Sequence, residues 1–99
     1  MPYSRQYHDT YQNLPEKLPK IYPELNFDNH CYLRIALDNT FSAKWDIKIN
    51  RPAYKNLNDN QLEEVLKLLQ QYQTKKDLLL EHNQNSLIWR RKSKMRHNE

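Results

Sequence analysis

The amino-acid sequence predicts an all-α fold: a small three-helix domain with an extended, proline-marked strap at its N-terminus. Three observations lead there. Residues 29–46, NHCYLRIALDNTFSAKWD, are apolar nearly all round at helical spacing, the mark of a helix surrounded by the rest of its domain. The segment after Asn58 opens on a helix-start signal and continues with apolar residues at helical period. Between Leu14 and Pro23 a proline follows an apolar residue every four positions, and each proline disfavours the helical region for the residue before it. At 99 residues and 37% hydrophobic content the chain builds one core and leaves a poorly packed remainder. The expected division is a partly ordered strap over 1–28, a helical domain over 29–91 and a flexible basic tail over 92–99.

Tyr3, Tyr7, Tyr11 and Leu14 fall on one helical face. A short helix there would lay its rings on the core, hydroxyls in water, or present them as a stripe to a partner. The pairs Leu14-Pro15, Leu18-Pro19 and Tyr22-Pro23 follow. Their P-x-x-x-P spacing differs from the P-x-x-P of common polyproline ligands, so the Leu and Tyr residues read as anchors of a strap.

The core helix starts at Asp28 or Asn29, either of which serves as N-cap, and must end before Arg51, because Pro52 excludes Arg51 from the helical region. Ile47 and Ile49 alternate with Lys48 and Asn50, so its last turn is alternatively a short extended piece. Its polar residues Arg34, Asp38 and Ser42 share one narrow strip, bounded by Cys31 and Trp45. In the second helix Asn58 and Gln61 match a capping box, Leu57 and Leu62 occupy the staple positions, and Asp59 complements the helix dipole. Leu62, Val65, Leu66, Leu69 and Tyr72 then form its buried stripe. Continuing that stripe would bury Gln73 and Lys76, so a break is expected. Thr74 with Asp77 offers a second capping box, starting a third helix near Lys75 with Leu79, Leu80, Leu87 and Trp89 inward. One unbroken helix from 59 to 91 is the alternative.

Charge and composition narrow the function. Arg90, Arg91, Lys92, Lys94 and Arg96 against Glu99 carry the whole net charge of +4, which makes the basicity a property of the tail. A single cysteine forms no internal disulfide and fits a reducing, cytoplasmic setting. No signal peptide or membrane-spanning run is present in the sequence as given. His8, His30, His82 and His97 are scattered, so no metal site is expected. With no glycine the usual phosphate-binding loop is not available, no cofactor is expected, and positions needing φ > 0 fall to Asn or Asp.

Arg34 and Asp38 stand one turn apart and read either as a structural ion pair or as part of a site. In the second case Arg34, with Trp45 as a lid and Arg51 and Tyr54 from the following loop, receives an anionic group of a ligand or partner. Cys31, at the helix start, is the one candidate nucleophile, although a lone cysteine beside an apolar helix ordinarily serves as a small hydrophobe. The cations Arg90, Arg91, Lys92, Lys94 and Arg96 suit phosphate contacts, with Trp89 adjacent for stacking. The run HCYLRIALDN with Trp45, then RPAYKNL and NSLIWR, resembles a group of small bacterial proteins of about this length, over about residues 29–92. Some of that group carry a loose acetyltransferase label. The glycine-rich pyrophosphate loop of the common acetyltransferases has no counterpart here, so the resemblance assigns no site residue. The sequence therefore favours a non-catalytic protein-binding module, with nucleic-acid association through the tail and a small enzyme or enzyme subunit around Cys31 to Trp45 as alternatives.

Overall fold

The computed structural model describes the backbone of residues 5–97 and the side chains of Tyr11 and residues 13–92. Among these residues it is all-α: α1 (Arg5–Ile21), a 3-10 turn (Pro23–Leu25), α2 (Asn29–Phe41), a second 3-10 turn (Trp45–Ile47), α3 (Ala53–Asn56), α4 (Asp59–Tyr72) and α5 (Lys76–His97). Five helices thus stand where three were expected.

The largest correction is the strap. Residues 14–21 are helical, and α1 runs through Pro15 and Pro19. Each interior proline removes an amide donor and costs about 3 kcal/mol. The four-residue repeat, however, is also nearly one helical turn, and it stacks Tyr11, Leu14, Leu18 and Tyr22 on one face, each at most 9% exposed. Burying a large apolar side chain is worth about 1.5–3 kcal/mol, and Pro15 is itself fully buried, so packing outweighs the two lost bonds. Beyond α1 the Tyr22 hydroxyl donates to the Gln73 carbonyl at 3.1 Å. Lys76 pairs with Glu24 at 2.8 Å, so both tie the N-terminal segment to the turn between α4 and α5. Of the tyrosine face, Tyr11 is buried with its ring 6.5 Å from that of Tyr54. Tyr3 and the side chain of Tyr7 lie outside the described residues.

The start of α2 is as expected: the Asp28 carboxylate accepts from the Cys31 amide at 2.9 Å, and that bond lowers its pKa. Tyr32, Ile35, Ala36, Leu37 and Asp38 are buried, which puts α2 at the centre. The helix stops at Phe41 because Ser42 turns left-handed, φ 53°. Asn26 does the same at φ 58°, and in a chain without glycine these two positions fall to an Asn and, unexpectedly, a Ser. A 3-10 turn then replaces both the final helical turn and its extended alternative, and Arg51-Pro52, a cis bond, leads into α3, which nothing in the sequence announced.

The capping box of α4 is complete, Gln61 N donating to Asn58 Oδ1 at 2.8 Å and Asn58 N to Gln61 Oε1 at 2.9 Å. All five stripe residues of α4 are buried, with Leu68 added. The break before α5 falls where expected, but Leu79 N donates to the Lys75 carbonyl, which makes Lys75 the N-cap, one residue after Thr74. The inward face of α5 is the second correction. Leu79 is buried, whereas Leu80 and Leu87 are 37% and 38% exposed and Trp89 is half-buried. From Leu79 the face continues at i+3, i+4, i+7 and i+11 through His82, Asn83, Ser86 and Arg90. The backbone stays helical to His97.

Candidate anion-receiving cleft

A polar inner face on α5 requires polar partners, because an unpaired buried group costs about 1–3 kcal/mol. α2 supplies them. Asp38 has a fully buried side chain. It accepts from Ser86 Oγ at 2.6 Å, from Arg90 Nε at 2.7 Å and Nη2 at 3.2 Å, and from the Trp45 amide at 2.9 Å. One carboxylate thus fastens α5 to α2 and pins the Trp45 turn. At the next residue of α2, Asn39 Nδ2 donates to the His82 carbonyl at 2.9 Å and Asn85 Nδ2 to Asn39 Oδ1 at 3.3 Å. The His82 ring lies edge-on to Tyr72, Nδ1 being 2.7 Å from the phenol oxygen, and burial lowers its pKa.

The ion pair expected between Arg34 and Asp38 is not formed. Arg34 turns to α5 and donates to the neutral Asn83 Oδ1, while its Nε is buried with no hydrogen-bond partner among the described residues. The charge on Arg34 therefore faces an amide.

Beside this seam lies a cleft of about 670 Å³ lined by residues of α1, α2, the Trp45 turn, α3 and Arg90. Of the residues singled out from sequence, it brings together Cys31, Arg34, Trp45, Arg51 and Tyr54. Asp38 lies behind its wall. The Arg51 guanidinium sits 5.2 Å from the Trp45 ring centroid and pairs with Asp46 at 2.5 Å. Burial pushes the Asp46 carboxyl up, but the Arg51 bond and the Lys44 charge outweigh it and hold the group below its usual range. Two of the three arginines lining the cleft thus have carboxylate partners, Arg51 with Asp46 and Arg90 with Asp38. Arg34 has none among the described residues. A guanidinium whose charge no carboxylate balances among the described residues, lining the cleft with Tyr11, Leu33, Leu37, Trp45 and Tyr54, is suited to an anion attached to an apolar body.

No match is found. Comparison of the chain with protein-family models, with curated proteins and with solved structures returns nothing similar. Function is therefore read from the residues themselves. Cys31 is half-buried at the first turn of α2. Among the described residues no group of three His, Cys, Asp or Glu side chains could hold a metal, and no described helix is long and apolar enough to cross a membrane. The basic set is divided: Arg90 is drawn in by Asp38, Arg91 and Lys92 are exposed, and the side chains of Lys94 and Arg96 lie outside the described residues. Sequence reasoning missed Asn83, Ser86 and Arg90 as structural partners of the site. Leu79, Asn83, Ser86 and Arg90 do keep one helical face, but a mostly polar face carries no periodic apolar signal that marks it as buried.

Proposed function

We propose that this chain is a small, non-catalytic protein-binding module whose cleft takes up a carboxylate carried on an apolar segment of a partner protein. The observation that supports this is Arg34: a guanidinium lining the cleft, its Nε unpartnered, its held arm bonded to a neutral amide. A carboxylate in the cleft would balance the guanidinium charge that Asn83 leaves unpaired, and Trp45 and Tyr54 would cover the attached apolar side chain. The neighbouring Arg51, exposed and backed by Trp45, adds charge at the rim, where it steers approach more than it adds affinity.

The test is selection of a random twelve-residue peptide library displayed on phage against the intact chain. Enrichment of Asp or Glu next to Leu, Phe or Trp is expected, with binding of the selected peptides falling at least ~10-fold on Arg34→Met, the loss of a charge-assisted bond. Selected peptides without an acidic residue, or peptides that bind R34M equally well, would sink the reading.

A further inference from the structure

The outward side of α5 is unaccounted for by the cleft. It carries Leu80, Leu87 and Ile88, 37%, 38% and 42% exposed, together with the exposed Asp77, Glu81, Gln84 and Arg91. These residues sit opposite the inner face of Leu79, Asn83, Ser86 and Arg90 at 100° per residue. They also have an internal symmetry. Counting outward from Gln84 in both directions, Glu81 is matched with Leu87, Leu80 with Ile88, and Asp77 with Arg91. We propose that α5 pairs antiparallel with the α5 of a second copy of the chain, about a twofold axis passing beside Gln84.

A twofold interface is self-complementary, so each residue must find its mate at the mirrored position along the helix. Here Leu80 meets Ile88 of the second copy at one level, with Leu87 one residue along opposite Glu81, which covers the exposed apolar residues on both sides. Asp77 of each copy then lies level with Arg91 of the other, and neither belongs to a salt bridge among the described residues. A parallel arrangement would set Asp77 against Asp77 and Arg91 against Arg91, so the charges select the antiparallel one. The contact spans about 21 Å of helix at 1.5 Å per residue. A single helical stripe falls short of the ~800 Å² per partner of a stable complex, so the dimer is reversible and concentration-dependent. It leaves the cleft open, because the cleft lines the other side of α5.

Sedimentation velocity of the full chain over about 10–1,000 μM, the range in which contacts of this size act, tests it. The wild type is expected to shift from monomer towards dimer, and Leu80→Glu or Ile88→Glu to hold it monomeric with an unchanged circular dichroism spectrum. Asp77→Arg and Arg91→Asp singly are each expected to weaken association about tenfold, and the two together to restore it, since like charges at one level repel as opposite ones attract. A wild type that stays monomeric throughout overturns the proposal. So does association that persists in L80E and I88E, and so does a double reversal no better than the singles.

Discussion

Asp38→Asn is the perturbation whose size the structure defines best. The substitution keeps the shape of the side chain, removes its charge and replaces one acceptor by a donor. Of the donors now satisfied, Ser86 Oγ at 2.6 Å, Arg90 Nε at 2.7 Å and Nη2 at 3.2 Å, and Trp45 N at 2.9 Å, at least one must then face another donor. Breaking a buried pair from one side costs about 3–5 kcal/mol. The Arg90 side chain is 28% exposed and can swing its guanidinium to water, which favours the lower end, about 3 kcal/mol. In a domain of this length that is a fall in Tm of about 12–24 °C, a large part of a total stability of about 5–15 kcal/mol. Urea unfolding followed by circular dichroism measures it. Arg90→Met should cost at least as much, about 3–5 kcal/mol, because the fully buried Asp38 carboxylate then keeps Ser86 and the Trp45 amide but no compensating charge. The double variant should show coupling of at least about 1 kcal/mol. A loss under about 1 kcal/mol in D38N, or full additivity with R90M, would refute the assignment of Asp38 as the fastening of α5.

Burial lowers the His82 pKa from its ordinary 6.5, so as pH falls below that value the unfolded chain binds the proton first and stability drops until the folded imidazole is charged too. Urea midpoints at neutral and mildly acid pH should show this loss, and His82→Gln should flatten it. The Tyr32 hydroxyl is buried without a hydrogen-bond partner among the described residues, and burial pushes its pKa up to about 12. Tyr32→Phe is therefore expected to raise stability by about 1 kcal/mol, and a clear loss in the same assay would reveal an acceptor. Pro19→Ala restores a donor to α1, and a gain of about 1 kcal/mol by thermal melting is expected after the stiffness of proline in the unfolded chain is set against it. Destabilisation instead would mean that the half-buried ring matters more than the helix bond.

What the sequence made legible, and what it hid, divides along physical lines. The Asp28 and Asn58 caps were readable because a cap is local: one side chain and an amide three residues on. The α4 stripe was readable because only apolar residues keep that period. α1 was misread because two proline rules, each sound for an isolated peptide, were weighed without the burial of Tyr11, Leu14, Leu18 and Tyr22 that overrides them. The inner face of α5 was misread because its leucines point outward and its specificity lies in polar bonds to residues about fifty positions earlier, which no local pattern encodes. The cleft lies between these cases. Cys31, Arg34, Trp45, Arg51 and Tyr54 were named from sequence, but the partner of Arg34 was not, because Asp38 one turn along was the obvious choice and Arg90 had already claimed it.

The seam between α2 and α5 also bears on motion. α1 and α4 are held to α2 by apolar burial, which is lost only when the core opens. The seam past Leu79 is held largely by directional bonds that converge on Asp38, so loss of that one carboxylate is expected to lower the local opening free energy of α5 more than that of α2 or α4, read as lost amide protection in hydrogen exchange. Because Arg90 lines the cleft and Asp38 holds the Trp45 turn, each such opening removes one wall and loosens another. The integrity of the seam and the shape of the cleft are therefore coupled through one carboxylate, Asp38.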